Sequence, residues 1–450
     1  MTESLFQNGI AHWASRIRSG DLSFTDTAHT CLTTIEADAS LNAWEIVDAD
    51  AAIQSAAAMD ALLASGTDLG WSMGLPLAVK DIIRADGFPL TNGSNANTDS
   101  LVGPEGALVK KLKRAGMIVL GKTKTVEFAL GVTGENTSRG MPWNPTDRNV
   151  HRLPGGSSSG SAVASAAGHV GMALGTDTGG SVRIPAAFNG IVGHKTSVRV
   201  WPTDGVFSLS TTLDSIGPLC RTVKDTELMH NLVTGENALP PVPLNGLRIG
   251  LPQEHFFDDI DSQVREDFDR VLGALTHAGA TVVPIHFPEA VERATLFPAI
   301  VPPELLATLG VQNFETIRAQ MDPVTAQRAE NGLAVSAVEY QEAIRRQQQL
   351  IAKANATFEH VDCWISPTAP IVPMPAADLS NPENHKRALN ASWNTQPGNL
   401  TEFCAMSLPM HQTGLPTGFQ IMLPWGQDAR LIAISTSVEA LLHSLKETPA

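Results

Sequence analysis

Two segments built almost entirely of small residues, Pro154-Gly-Gly-Ser-Ser-Ser-Gly-Ser161 and Gly175-Thr-Asp-Thr-Gly-Gly-Ser181, constrain this chain more than any other feature. Ser157 and Ser181 stand 24 positions apart, and the interval has room for one short helix over 162–167 and one strand over 170–174. Glycine lets backbone N–H groups crowd against a reacting oxygen and supplies positive φ without a Cβ penalty. A serine in that setting is either a nucleophile beside an oxyanion hole or a hydroxyl on a phosphate cradle.

The rest of the chain alternates strands and helices. Residues 8–36 and 48–65 carry helical periodicity, and Gly66-Thr-Asp-Leu-Gly70 closes a helical N-terminal section, 1–70. The run 75–79 reads as a strand rising to Lys80, followed by a helix over 107–115 and a strand over 117–120. Strand 247–251, helix 262–278 and strand 281–285 repeat that order. A long helix is expected over 334–357, strands over 361–365 and 418–423, and a closing helix over 428–444. Such alternation implies an α/β domain, 71–450, whose sheet is covered by helices on both faces, with the motifs inside 75–220. The Pro-rich stretch 238–244 reads as a surface loop or a hinge.

Composition narrows the function. A net charge of −15 argues against nucleic acid or an anionic membrane surface, since both need clustered Lys and Arg. No apolar run reaches transmembrane length, and Met1-Thr-Glu-Ser-Leu5 lacks a basic leader, so a cytoplasmic enzyme is expected. The four cysteines form no CxxC pair and read as reduced thiols. The histidines show no HExxH or paired spacing, so neither a metal nor a cofactor is expected.

Lys80 ends an apolar strand, where desolvation disfavours an ammonium and lowers its pKa, leaving an amine able to take a proton from a hydroxyl. The alternative is an ion pair with the adjacent Asp81. Gly155–Ser161 lacks the lysine of a P-loop. It fits Gly-x-Ser-x-Gly with Ser158 at the centre, yet a loop, not a strand, precedes it. A flexible linker fails because helix and strand follow directly, which leaves a helix N-terminus presenting hydroxyls. In the second segment the N–H groups of Thr178, Gly179, Gly180 and Ser181 can converge on one oxygen, with Asp177 and Arg183 bracing the loop as an ion pair. A purely structural Gly-Gly turn is the alternative.

These motifs together resemble the amidase signature family of serine hydrolases. Beyond Gly74-Leu-Pro-Leu-Ala-Val-Lys80 and the two small-residue segments, the likeness includes Glu135-Asn136, Trp143-Asn-Pro145, Thr212-Leu-Asp-Ser-Ile-Gly-Pro-Leu219 and Gly414-Leu-Pro-Thr-Gly-Phe-Gln420. It covers roughly 70–440. The resemblance implies a mixed central sheet in one large domain and a Ser–cis-Ser–Lys triad. Carried over by position, Ser181 is the nucleophile, Ser157 the bridging serine joined by a cis peptide bond, and Lys80 the base. It also places 127–136 along the acyl pocket, where Gly131 and Gly134 either let substrate approach or simply turn the chain. Thr178, Gly179, Gly180 and Gly131 are the candidate oxyanion and substrate contacts. Two departures stand out: Asn189 where cysteine is common, and His194-Lys-Thr-Ser-Val-Arg-Val200, which is expected near the pocket mouth. Trp143 and Trp201 are candidate pocket walls or core residues.

The expected activity is hydrolysis of a small carboxamide or related acyl compound, with water as co-substrate. The alternative is the glutaminase (A-type) subunit of a tRNA-dependent amidotransferase, which shares the triad. A homodimer is left open.

Overall fold

In the computed structural model, which describes residues 5–447, the strand-helix alternation becomes a single mixed sheet of eleven strands among those residues. The opening Met1-Thr-Glu-Ser4, read for a leader, lies outside the described residues. The strands are β1 Trp44–Val47, β2 Pro76–Lys80, β3 Ile118–Thr123, β4 Met172–Asp177, β5 Val192–Lys195, β6 Ser215–Cys220, β7 Arg248–Pro252, β8 Thr281–Ile285, β9 Cys363–Pro367, β10 Cys404–Pro409 and β11 Gly418–Leu423. Their order is β1-β3-β2-β4-β6-β5-β10-β11-β9-β7-β8. Parallel blocks β3-β2-β4 and β9-β7-β8 flank an antiparallel middle.

Three strand–helix–strand crossovers of the kind the apolar patterning predicts connect parallel strands. Helix Ala107–Arg114 joins β2 to β3, helix Ser159–Ala166 joins β3 to β4, and helix Ser262–His277 joins β7 to β8. Because helices cover both faces, β2 and β4 are buried at every residue, and polar side chains at their ends share that burial. The main apolar core draws on residues from Phe6 to Leu442, with two smaller buried clusters that include Phe188 and Val182.

Several elements differ from their expected bounds. The stretch 8–36 splits into helices Gly9–Ser19 and Phe24–Ala37, because Gly20 adopts φ +82° and Ser23 opens the second helix with a capping box to Asp26. The expected strand 170–174 slides C-terminally to Met172–Asp177. The N-terminal section is not purely helical: β1 adds the outer strand beside β3, and the Ile10 N–H donates to Asp225 Oδ1 at 2.7 Å in helix Val223–Thr234.

Helix Arg293–Leu309 went unread because Pro298, Pro302 and Pro303 signal a break. Leu296 with Ile300, and Leu305 with Leu309, nevertheless stand four residues apart and are buried on two faces of the helix, so tertiary packing holds it. The Pro-rich stretch 238–244 is an exposed loop, tied to the closing helix by Val242 N–H to Ala433 O at 3.1 Å. Among the described residues no single helix is long and apolar enough to cross a membrane.

Candidate active site

Parallel pairing of β2 with β4 sets Lys80 beside the C-terminal end of β4, where the glycine-rich loop begins. Lys80 Nζ lies 2.7 Å from Ser157 Oγ and 2.8 Å from Thr176 Oγ1, so its partners are two hydroxyls. The expected alternative, pairing with Asp81, does not occur, since Asp81 binds Lys122 Nζ at 2.7 Å. Burial lowers the Lys80 pKa to about 7, against the opposing pull of Asp214 and Asp177. At neutral pH a large share of this lysine is therefore the uncharged amine.

The bond joining Gly156 to Ser157 is a cis peptide bond, as the resemblance implied. Within the serine cluster only Ser157 faces the lysine. Ser158 Oγ donates to Thr176 O at 3.2 Å, and Ser161 Oγ donates to Leu174 O at 2.9 Å, so both staple the following helix onto β4. That disposes of Ser158 as the centre of a nucleophile elbow. Ser181 comes to the pair through its backbone, its carbonyl accepting from Ser158 N–H at 3.2 Å.

The loop carrying Ser181 is held by a buried ion pair. Arg183 donates from Nε and Nη2 to the two carboxylate oxygens of Asp177, each at 2.9 Å, and both side chains have zero exposure. Burial alone would raise the Asp177 carboxyl; the Arg183 charge and hydrogen bonds outweigh it and hold the group well below the usual range. Asp177 also accepts from Gly180 N–H at 2.8 Å, Val182 N–H at 3.2 Å and Asn399 Nδ2 at 2.8 Å. Arg183 reaches onward to Thr395 O, Gln420 Oε1 and Asn399 Oδ1. The brace expected from sequence is thus the hub of a network drawing on residues more than two hundred positions away.

Of the four N–H groups expected to converge on one oxygen, that of Gly180 is already bonded to Asp177 Oδ1. Gly180 has φ +124°, and a methyl there would lie 2.2 Å from Thr395 Oγ1. A methyl at Gly179 would lie 2.7 Å from Phe297 Cζ. Both positions need glycine for close approach. The Thr178 hydroxyl donates to Asp214, whose carboxyl burial pushes up to about 6.

Beside this loop opens a cavity of about 420 Å³, walled by Leu130, Gly131, Val132, Phe297 and Gln396 among others. Residues 130–132 thus lie where the resemblance placed a pocket wall. The Gly131 N–H bonds Ala129 O at 3.2 Å, and Gly131 forms part of the cavity wall. Gly134 is a turn residue packed on Pro154, 2.6 Å from a methyl there.

Other expectations are redirected. Asn189 donates from Nδ2 to Pro154 O and Pro185 O, both at 2.7 Å, clamping the two motif loops together. The segment after His194 borders a separate cavity of about 230 Å³ that includes Arg199, Thr176 and Asp214, on the lysine side of the site. Trp143 stacks on His151 at 4.5 Å and Trp201 is core, so neither lines the larger cavity. Trp393, with the Arg293 guanidinium 4.0 Å above its ring, backs one of the cavity's lining side chains. The four cysteines are buried and free, and burial pushes Cys31 and Cys363 up to about 12. One buried cluster was invisible in the spacing: His194, His230 and Asp428, with ligand-type atoms within 4.8 Å of one another. They come from three distant elements. His194 Nε2 lies 3.2 Å from Asp428 Oδ1, which also accepts from Ser197 N–H at 2.9 Å.

Known proteins resemble this chain over nearly its whole length. The Amidase family description matches residues 26–432. A 2-amino-5-chloromuconic acid deaminase of Comamonas testosteroni is 39% identical over 98% of both chains. The A-type subunit of a glutamyl-tRNA(Gln) amidotransferase from Acidothermus cellulolyticus is 33% identical, over 97% of this chain and 94% of that one. A crystal structure of an amidase superposes with a TM-score of 0.89 at 29% identity, covering 96% of this chain and 99% of that one. With the family matched over nearly its whole length and the signature motifs folded around one buried lysine, the chain belongs to the amidase family and is a hydrolase of carbon–nitrogen bonds.

Proposed function

We propose that Ser181 is the nucleophile, Ser157 the proton relay and Lys80 the base of an amidohydrolase acting on a small carboxamide. The observation that carries this reading is a fully buried lysine whose Nζ sits 2.7 Å from Ser157 Oγ and whose other partner is a second hydroxyl. A serine hydroxyl is a weak nucleophile at its own pKa and needs such a base.

Ser181 Oγ attacks the carbonyl carbon while its proton passes to Ser157 Oγ, whose own proton moves to Lys80 Nζ. The carbonyl oxygen becomes an oxyanion facing the N–H groups of Thr178, Gly179 and Ser181. Collapse breaks the C–N bond, and the leaving amine takes its proton back from Lys80 through Ser157. Water then attacks the Ser181 ester by the same relay, releasing the acid and restoring the hydroxyl.

The 39% identical relative, named as a 2-amino-5-chloromuconic acid deaminase, supports an enzyme acting on an acid-bearing compound. Relatives named as A-type amidotransferase subunits support a second reading, a glutaminase that passes ammonia to a partner. Glutamine-specific hydrolysis with a second polypeptide co-purifying would select it. The triad is tested by Ser181→Ala, assayed by ammonia or amine release over a panel of aliphatic and aryl amides. Turnover should fall by roughly a thousandfold or more, since residues acting as one unit are lost together. A variant that keeps most of its rate overturns the assignment.

A further inference from the structure

The 420 Å³ cavity is walled by three cationic side chains, Arg293, Arg328 and Lys386, and by no Asp or Glu. In a chain of net charge −15 that is the reverse of the average surface. Arg293 is the most confined of the three. Its guanidinium lies over the Trp393 ring, and Nη1 donates to Gln396 Oε1 at 2.6 Å. Its Nε is buried and has no hydrogen-bond partner. The neighbouring acid, Glu292, cannot neutralise it, because both carboxylate oxygens are taken by Arg346 at 2.8 and 2.6 Å. Burial lowers the Arg293 pKa to about 10, which still leaves it charged at neutral pH.

Arg328 is half-buried, with Glu135 and Asp322 the acids that act on it. Its Nη1 donates to Leu130 O at 3.1 Å and would lie 3.6 Å from a methyl at Gly131. Lys386 is exposed at the rim. A desolvated guanidinium with no counter-ion is costly unless an anion arrives to pair with it. Planar, forked donors of this kind match a carboxylate in two-point contact. The cavity also abuts the chemistry: Phe297 and Gln396 wall it and pack on Gly179, two residues before Ser181. Phe297, Pro298, Val301 and Leu389 supply an apolar path between the cations and that loop.

We propose that this cavity selects amides whose acyl portion carries a carboxylate, with Arg293 as its principal anchor and Arg328 and Lys386 as supporting charges. The proposal rests on the Ser181 reading for the position of the scissile bond; carboxylate binding can be measured without it. The same arrangement gives a neutral amide no partner for Arg293, so specificity follows from the cation left unpaired as well as from the ion pair an acid would form.

The test is titration calorimetry on the full-length Ser181→Ala protein. The probes are the monoamides of succinic, glutaric and adipic acids, each paired with butyramide, pentanamide or hexanamide of equal chain length. At least one acid should bind roughly tenfold or more tightly than its neutral partner. Adding Arg293→Gln should bring that ratio to within about twofold, while Arg293→Lys should retain part of the preference. Lys386→Met, at an exposed position, should weaken acid binding alone and so serves if Arg293→Gln fails to fold. Equal binding within every pair overturns the proposal, and so does a preference that survives Arg293→Gln. Turnover by Ser181→Ala would overturn the nucleophile assignment alone, because the preference is read from binding.

Discussion

If Lys80 takes the proton from Ser157, acidification disables the enzyme by charging a single buried amine. Burial sets its pKa to about 7, down from the ordinary 10.5. The neutral fraction is then about one tenth at pH 6, about one half at pH 7 and about nine tenths at pH 8. Initial-rate kcat/KM for amide hydrolysis, at constant ionic strength, should climb about tenfold from pH 6 to pH 8 and level off above. Glu127 titrates in the same window, since burial raises its carboxyl to about 7. Asp214 lies at the lower edge of that window, its carboxyl raised by burial to about 6, and Asp214→Asn removes its titration while separating Lys80 from Glu127. The Asp214 charge favours the ammonium form of Lys80, so its removal lowers the lysine pKa further and moves the limb to lower pH. Asp214 is not among the groups acting on Glu127. A profile flat from pH 6 to pH 8, or a limb that moves to higher pH in Asp214→Asn, refutes Lys80 as the titrating base.

Two further outcomes follow from the hydrogen bonding around the site. Ser157→Ala should lose roughly a thousandfold in kcat/KM, whereas Ser158→Ala, which loses a bond to Thr176 O and one from Thr176 N–H, should cost about 1–3 kcal/mol of stability and retain the relay. Equal losses would merge the two serines and undo the assignment of roles. Arg183→Met leaves the Asp177 carboxylate buried without its charge partner and should destabilise the fold by about 3–5 kcal/mol in denaturant titration. An unchanged midpoint would show that the network holds without its ion pair.

What the sequence made legible was local. The apolar run 75–79 leading to Lys80 buries its lysine because helices cover both faces of the sheet, a consequence of strand-helix alternation that periodicity reports directly. The two small-residue segments are readable for the same reason, since glycine and serine in sequence already define where backbone crowds together. The support behind them was hidden. Asn399, Thr395 and Gln420 fix Arg183 from elements more than two hundred residues away, and no spacing rule connects them. The Gly180 amide looked available until the side chain of Asp177 turned back to accept it. Helix Arg293–Leu309, which brings Arg293 and Phe297 to the cavity, was masked by three prolines whose local preference tertiary packing overrode. Sequence thus exposed the proposed reacting groups and concealed the cavity walls beside them.

The most direct measurement is rapid acid quenching during turnover of an amide, followed by intact-mass analysis and peptide mapping. The mechanism predicts one acyl group per chain, carried on Ser181, and none in Ser181→Ala. An acyl group found on Ser157 or Ser158, or one that still forms in Ser181→Ala, would contradict it.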